Sequence, residues 1–144
     1  MVQPYIGASI TLKEDRRFLT GKAVFADDVK LPGMLHAAFM RSPHAHARIK
    51  AIDTTEALAI PGVAAVFTYA DIADQAKPIP VRLYPLPSLL PFLQYPLAQD
   101  IVRYVGDPVA IVVADSRYVA EDALDAIEVT YEPLPAVVDM EESL

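Results

Sequence analysis

The sequence predicts an α+β fold in which short helices pack on a mixed sheet. Short runs of apolar or alternating residues between turn signals indicate strands, and two stretches carry helix start and stop signals. Their order is roughly ββαβ, a proline-rich segment, then ββαβ again, which gives two similar halves. At 144 residues, 53% of them hydrophobic, the chain suffices for one core and is too short for two ordinary domains.

In the first half, residues 1–12 are predicted to be an arm, followed by a charged helical turn over residues 13–19. Residues 34–40 are predicted to form a strand that enters a turn made rigid by Pro43. The next strand alternates, with Ala47, Ile49 and Ala51 on its buried face. Further elements are a helix over residues 54–60, capped by Asp53 with Glu56 and ended by Pro61-Gly62, a strand over 63–67, and a helical turn over 69–72.

Six prolines crowd residues 77–96, and this density predicts a long loop without regular structure. No two of these prolines are three positions apart, so the segment does not fit a PxxP ligand. Its apolar side chains are expected to meet partners outside the chain. These side chains are Leu83, Leu86, Leu89, Leu90 and Phe92.

In the second half, an alternating strand is predicted over residues 101–105. Residues 109–114 are apolar at every position, which predicts the centre of the sheet, covered on both faces. A helix capped by Asp115 or Ser116 runs to about residue 126, and an alternating strand covers 127–132. Residues 137–144 are expected to be a linker to further domains.

Composition excludes several classes of site. The chain has no cysteine, hence no disulfide, thiolate metal site or cysteine nucleophile, and its five scattered glycines form no phosphate-binding loop. No apolar run approaches the roughly 20 residues of a membrane span, and no signal peptide is expected, so a cytoplasmic location is predicted. Residues 1–50 carry eight Lys or Arg against four Asp or Glu, whereas residues 100–144 carry two against eleven. This acidic end argues against a nucleic-acid partner.

The chemically densest stretch holds His44 and His46, with His36 one predicted strand upstream. On an extended strand His44 and His46 would face one side, so a zinc site of three nitrogens is one interpretation. Pro43 and the lack of a nearby acidic residue favour the other, in which the histidines are hydrogen-bonded turn residues. We therefore predict no metal ligand, no cofactor-binding residue and no catalytic residue in this chain.

Several stretches resemble, in order and spacing, the N-terminal domain of the large subunit of molybdenum hydroxylases, the family of xanthine dehydrogenase, aldehyde oxidase and aerobic carbon monoxide dehydrogenase. Residues 14–21 (EDRRFLTG) and the Arg-Ser-Pro start of the histidine stretch are most similar to the carbon monoxide dehydrogenase branch. The other stretches are residues 31–36 (LPGMLH), 41–49 (RSPHAHARI), 52–53 (ID), 61–63 (PGV), 102–110 (VRYVGDPVA) and 128–135 (EVTYEPLP).

The resemblance implies an α/β hammerhead domain over residues 1–136 and, in a longer parent, downstream domains that hold a molybdenum–pterin cofactor of the molybdopterin cytosine dinucleotide type. It also implies iron–sulfur and flavin partner subunits, and substrate oxidation at molybdenum outside this chain. The hypothesis is thus a structural and assembly domain, inactive alone, with no cofactor of its own. The alternative is a free-standing, non-catalytic binding module that reuses the fold.

Overall fold

The structure is a computed structural model that describes residues 6–80 and 87–143. The chain divides into two compact units, Met1–Met34 and Leu35–Leu144. The predicted arm lies in the first unit, and the predicted strands lie almost wholly in the second. Within the two described ranges, no helix is long and apolar enough to cross a membrane.

The first unit contains short helical turns and no strand among its described residues. The charged turn predicted over residues 13–19 is confirmed as a helix, and Gly21 follows it with φ 66°, a left-handed conformation that glycine adopts without strain. The rings of Phe18 and Phe25 lie 5.6 Å apart, centroid to centroid. The two helices are α1 (Asp15–Leu19) and a 3-10 helix (Ala26–Asp28).

The second unit is built on two three-stranded sheets, so the predicted α+β class is confirmed. The strands are β1 (His36–Arg41), β2 (Ala47–Asp53), β3 (Val63–Thr68), β4 (Ile101–Val102), β5 (Pro108–Ala114) and β6 (Glu128–Pro133). Sheet A has the order β1-β5-β3 and sheet B the order β4-β2-β6. Every described pairing is antiparallel, so the prediction of a mixed sheet is wrong in this respect.

Each sheet takes strands from both halves of the chain, so the predicted halves are not separate layers. The reason is that consecutive described strands alternate between the sheets: β1, β3 and β5 lie in sheet A, and β2, β4 and β6 lie in sheet B. Two of these connections, β1 to β2 and β4 to β5, are short. As predicted, β5 is the central strand of sheet A. The predicted cover on both faces is not found among the described residues, because Ile111 and Val113 on one face of β5 are only partly buried.

Hydrogen bonds at strand and helix ends explain where the elements depart from the predictions. The strand predicted over residues 101–105 stops at Val102, because the Arg103 amide donates to the Asp107 carboxylate (3.0 Å) rather than to a neighbouring strand. The register of β2 shifts between Ile49 and Ala51, so Ala51 is exposed instead of facing the core.

The helices begin close to the predicted positions. Asp53 Oδ1 accepts from the Thr55 amide (2.9 Å), but the predicted capping box with Glu56 does not form. Of the two proposed caps for the later helix, Ser116 is confirmed, because its hydroxyl accepts from the Val119 amide (3.2 Å). These helices are α2 (Thr55–Ala59), α3 (Tyr69–Ile72) and α4 (Arg117–Asp122), which continues as a 3-10 helix (Ala123–Ala126).

The proline-rich segment is not wholly irregular, because Pro87–Phe92 forms a 3-10 helix. The fixed φ of proline is compatible with such a short, tight turn, and this local effect corrects the prediction of no regular structure. Leu89, Leu90 and Phe92 are 36%, 62% and 69% exposed. Leu83 and Leu86 lie outside the described residues.

The core of the second unit consists largely of small side chains. The inner face of sheet A packs against the helices through Val66, Ala110, Val112 and Ala114, which join Ala57, Ala120, Ala123 and Ile127 in one buried cluster. A second cluster, Ala47, Ala98, Val102 and Val109, brings residues of both sheets together. The alanine side chains of the helices allow the helices to approach the sheet closely. The core is therefore tightly packed, and the loss of even a small buried side chain should leave a cavity.

Val112→Ala should destabilise the fold, because Val112 is 0% exposed at the centre of sheet A. Two lost methyl groups plus a cavity should lower the free energy of unfolding by roughly 2–3 kcal/mol. Urea denaturation of the isolated chain measures this effect. Val113→Ala is the matched control, since the neighbouring side chain points to the other face of the sheet and is only partly buried. Equal losses for the two variants would contradict the assignment of the inner face.

Asp71 stabilises the start of α3 in a manner that depends on pH. Its carboxylate accepts from the Thr68 amide (2.7 Å) and hydroxyl (2.8 Å), and these bonds lower the pKa of Asp71. Because the pKa of Asp71 is lower in the folded than in the unfolded state, its carboxylate stabilises the protein at pH values above the unfolded pKa. This stabilisation is lost as the pH falls through the folded pKa. Asp71→Asn should therefore cost less than about 1 kcal/mol near neutral pH. In acid titrations followed by urea denaturation, the difference should begin to shrink near about pH 4, the ordinary pKa of aspartate, and vanish once the pH lies below the lowered pKa of the folded state. A difference that grows in acid would contradict this.

Candidate functional site

The two short connections, from β1 to β2 and from β4 to β5, meet at one point, which we call the crossover cluster: residues 41–46 and 103–107. The Ser42 amide donates to the Asp107 carbonyl (2.9 Å), and the Gly106 amide donates to the Ser42 carbonyl (2.8 Å). Arg41 Nη1 donates to the Gly106 carbonyl (2.9 Å). These bonds tie the two turns together through backbone groups that neither turn could satisfy alone.

Ser42 and Asp107 are the buried polar residues of the crossover cluster, 2% and 5% exposed. The Ser42 hydroxyl accepts from the His44 amide (3.0 Å) and lies 3.1 Å from the His44 carbonyl, to which it donates. The Asp107 carboxylate accepts from the Arg103 amide. Both side chains therefore serve the backbone of a turn, as serine and aspartate commonly do.

Tyr131, on β6, packs against this cluster. Its ring lies 4.8 Å from the His44 ring, centroid to centroid, at an interplanar angle of 58°. Its hydroxyl is buried and has no hydrogen-bond partner among the described residues. Burial raises the pKa of Tyr131; the nearby Ser42 hydroxyl opposes this rise, and the Asp107 carboxylate adds to it. Tyr131 is thus held as the neutral phenol, unsuited to act as a base.

The histidines do not converge. His46 Nδ1 lies 2.6 Å from the Pro135 carbonyl, and the Leu134 amide donates to the His46 carbonyl (3.0 Å), so His46 fastens the segment that follows β6. His36 stands on β1 opposite Ala114. Over the described ranges, no three His, Cys, Asp or Glu residues are grouped as metal ligands. The interpretation of His44 and His46 as hydrogen-bonded turn residues agrees with this geometry.

A pocket of about 280 Å³ opens beside the cluster, between the proline-rich segment and β4. Its charged lining residues are Asp100, Arg103 and Asp107, with apolar walls from Leu90, Pro91, Leu93 and Ile101. None of the lining residues is a serine, cysteine or histidine that could serve as a nucleophile or its base. The pocket offers mixed charge and apolar contact rather than an arrangement for covalent catalysis.

Sequence reasoning singled out the histidines and overlooked Asp107 and Tyr131. The sequence Gly-Asp-Pro is typical of an ordinary exposed turn, so the local sequence did not indicate that Asp107 is buried. Its burial follows only from the meeting of two turns more than 60 residues apart, as the Arg41 to Gly106 bond spans 65 positions. The sequence indicated the importance of this region only through the stretches 41–49 and 102–110, which carry the family resemblance and include Asp107.

Comparison with known proteins identifies the family. Residues 20–135 match the model of the aldehyde oxidase and xanthine dehydrogenase a/b hammerhead domain. The chain is 52% identical to the carbon monoxide dehydrogenase large chain of Afipia carboxidovorans over 126 residues, 88% of this chain and 15% of that protein. It is 43% identical to the nicotine 6-hydroxylase large subunit of Paenarthrobacter nicotinovorans, covering 96% of this chain and 17% of that protein.

Solved structures of molybdenum hydroxylases have a domain with the same fold as this chain. The quinoline 2-oxidoreductase of Pseudomonas putida 86 superposes with a TM-score of 0.81 at 44% identity, over 94% of this chain and 17% of that one. The reconstituted CO dehydrogenase of Oligotropha carboxidovorans gives a TM-score of 0.79 at 48% identity, over 92% of this chain and 16% of that one. This chain thus spans about a sixth of the length of these relatives. The chain belongs to the aldehyde oxidase and xanthine dehydrogenase family of molybdenum hydroxylases, as its α/β hammerhead domain.

Proposed function

We propose that this chain is the N-terminal structural and assembly domain of the large subunit of a molybdenum-dependent oxidoreductase. The parent would be of the carbon monoxide dehydrogenase or the aldehyde and xanthine oxidase type. The observation that carries the proposal is the match of residues 20–135 to the hammerhead domain model, together with the small share of each relative that the chain covers. Catalysis would take place in the remaining five-sixths of the parent subunit.

The described residues do not fit a molybdenum–pterin cofactor. The pocket beside the crossover cluster presents two carboxylates, Asp100 and Asp107, against one Arg103, and this balance would repel the phosphate groups of a dinucleotide. The glycines do not form a cradle, since they are scattered along the chain. The buried Tyr131 hydroxyl has no hydrogen-bond partner among residues 6–80 and 87–143, but one neutral phenol is not a binding site. We therefore place no catalytic group of the parent enzyme in this chain.

We place the cofactor, in its cytosine dinucleotide form, in domains downstream of residue 136, with residues 137–144 as the linker toward them. Iron–sulfur and flavin subunits would receive the electrons, and the complex would be cytoplasmic. The relatives named as large chain and large subunit support the existence of further subunits in the parent complex.

Molybdenum content distinguishes the proposed structural domain from a domain that carries out a reaction of its own. The isolated chain should bind no molybdenum and oxidise neither carbon monoxide nor aldehydes with an artificial electron acceptor. The full-length product of the parent gene, expressed in the same host, should contain molybdenum and oxidise one of these substrates. Elemental analysis and dye reduction measure both properties. Turnover by the isolated chain, or a parent gene product that ends at Leu144, would contradict the proposal.

Ser42→Ala tests whether the crossover cluster is structural. Removal of a buried hydroxyl leaves the His44 backbone without its partner and should lower the free energy of unfolding by about 1–3 kcal/mol. In the parent enzyme, turnover per bound molybdenum should not change. Ser88→Ala is the matched control, because Ser88 is exposed on the 3-10 helix of the proline-rich segment. A variant with normal stability and reduced turnover per molybdenum would assign the cluster to catalysis instead.

A further inference from the structure

Sheet A has one face that the helices do not cover. Along β5 the side chains alternate, so that Ala110, Val112 and Ala114 are buried on the inner face, whereas Ile111 and Val113 on the other face are only partly buried. The open face comprises Ala37 and Phe39 of β1, Ile111 and Val113 of β5, and Ala65 and Phe67 of β3.

The strand register aligns these side chains in two rows. Phe39 pairs with Ile111, which pairs with Phe67 on the opposite edge, and Val113 stands between Ala37 and Ala65 in the same way. Phe39 is 44% exposed and Phe67 is 39% exposed. Directly opposed residues of antiparallel strands have neighbouring side chains, so the two phenyl rings and Ile111 form one continuous apolar patch.

This composition is unusual for a face in contact with water. In an antiparallel sheet with one solvated face, the outward positions are normally polar, yet every position of the open face is apolar. Arg41 borders it, with its guanidinium carbon 5.7 Å from the Phe39 ring centroid. The outer edge strand β3 (Val63–Thr68) carries neither a charge nor a proline, the usual protections of a free edge. Both features indicate that another surface covers this side of sheet A.

The size of the open face decides between a second copy of the chain and a tethered domain. Three strands about 4.8 Å apart, each about 20 Å long, give roughly 280 Å². A stable interface between separate molecules needs about 800 Å² on each partner. A domain joined to the same polypeptide needs far less, since its effective concentration reaches the millimolar range. The relatives have about five-sixths of their length outside the matched region.

We propose that the open face of sheet A docks a downstream domain of the same large subunit, which presents an apolar surface and a carboxylate to Arg41. The inference rests on the proposed function, because it requires the longer parent. Arg41 is suited to this role, since one of its nitrogens holds the Gly106 carbonyl and fixes the side chain while other N–H donors remain. The apolar rows then supply contact area, and the arginine supplies orientation.

Hydroxyl-radical footprinting with mass spectrometry tests the docking in wild-type protein. The oxidation rate of each aromatic residue is compared between the isolated chain and the full-length parent subunit. If docking reduces the exposure of Phe39 from 44% and of Phe67 from 39% to about 5%, their rates should fall roughly eight- to ninefold. Tyr118, 79% exposed on α4, is the internal control and should keep its rate.

The outcomes separate this proposal from the proposed function. Unchanged rates at Phe39 and Phe67 in a longer, molybdenum-containing parent would overturn the docking face alone. A parent gene product that ends at Leu144 would overturn both proposals. A dimer of the isolated chain in sedimentation equilibrium, lost in Phe39→Lys/Phe67→Lys but kept in Tyr118→Lys, would assign the face to self-association and also overturn the docking proposal.

Discussion

The fold depends on the paired backbone hydrogen bonds between Ser42 and the Gly106-Asp107 turn. One connection takes the chain from sheet A to sheet B, the other returns it from sheet B to sheet A, and the two cross where Ser42 donates to the Asp107 carbonyl and accepts from the Gly106 amide. Without these bonds each turn would bury unsatisfied peptide groups, at a cost of about 1–3 kcal/mol per group. The buried Ser42 and Asp107 side chains then hold each turn in the shape that the crossing requires.

This arrangement explains why the histidine stretch is densely polar and yet has no evident chemistry. His44 covers Tyr131 with its ring, and His46 fastens the chain after β6 through the Pro135 carbonyl. Each histidine thereby joins the crossover cluster to β6 or to the segment beyond it. Burial raises the pKa of Tyr131 and keeps it neutral, which suits a packed phenol better than a reactive one. These contacts support the proposal that the cluster is structural and that the chemistry of the parent subunit lies in other domains.

The two faces of sheet A differ in burial. The inner face builds the core from valine and alanine against short helices, and the open face leaves two phenylalanines in solvent. A chain of this size gains a modest hydrophobic stabilisation, so an uncovered apolar patch is a cost that an isolated protein would not be expected to carry. The patch is consistent with a domain that completes its burial only within a larger subunit. Leu90 and Phe92 of the proline-rich segment are exposed in a similar way.

The sequence by itself determined the α+β class, most element positions and the central place of β5, because apolar period and turn residues act locally along the chain. It also carried the family signature. Only the tertiary structure decided that the sheets interleave strands from both halves, that all described pairings are antiparallel, and that the register shift in β2 exposes Ala51. It alone brought Ser42 to Asp107 and showed which face of β5 stays open. These features follow from contacts between residues far apart in the sequence, 65 positions in the case of Arg41 and Gly106. The local sequence pattern contains no information on which distant strand or turn a segment will contact.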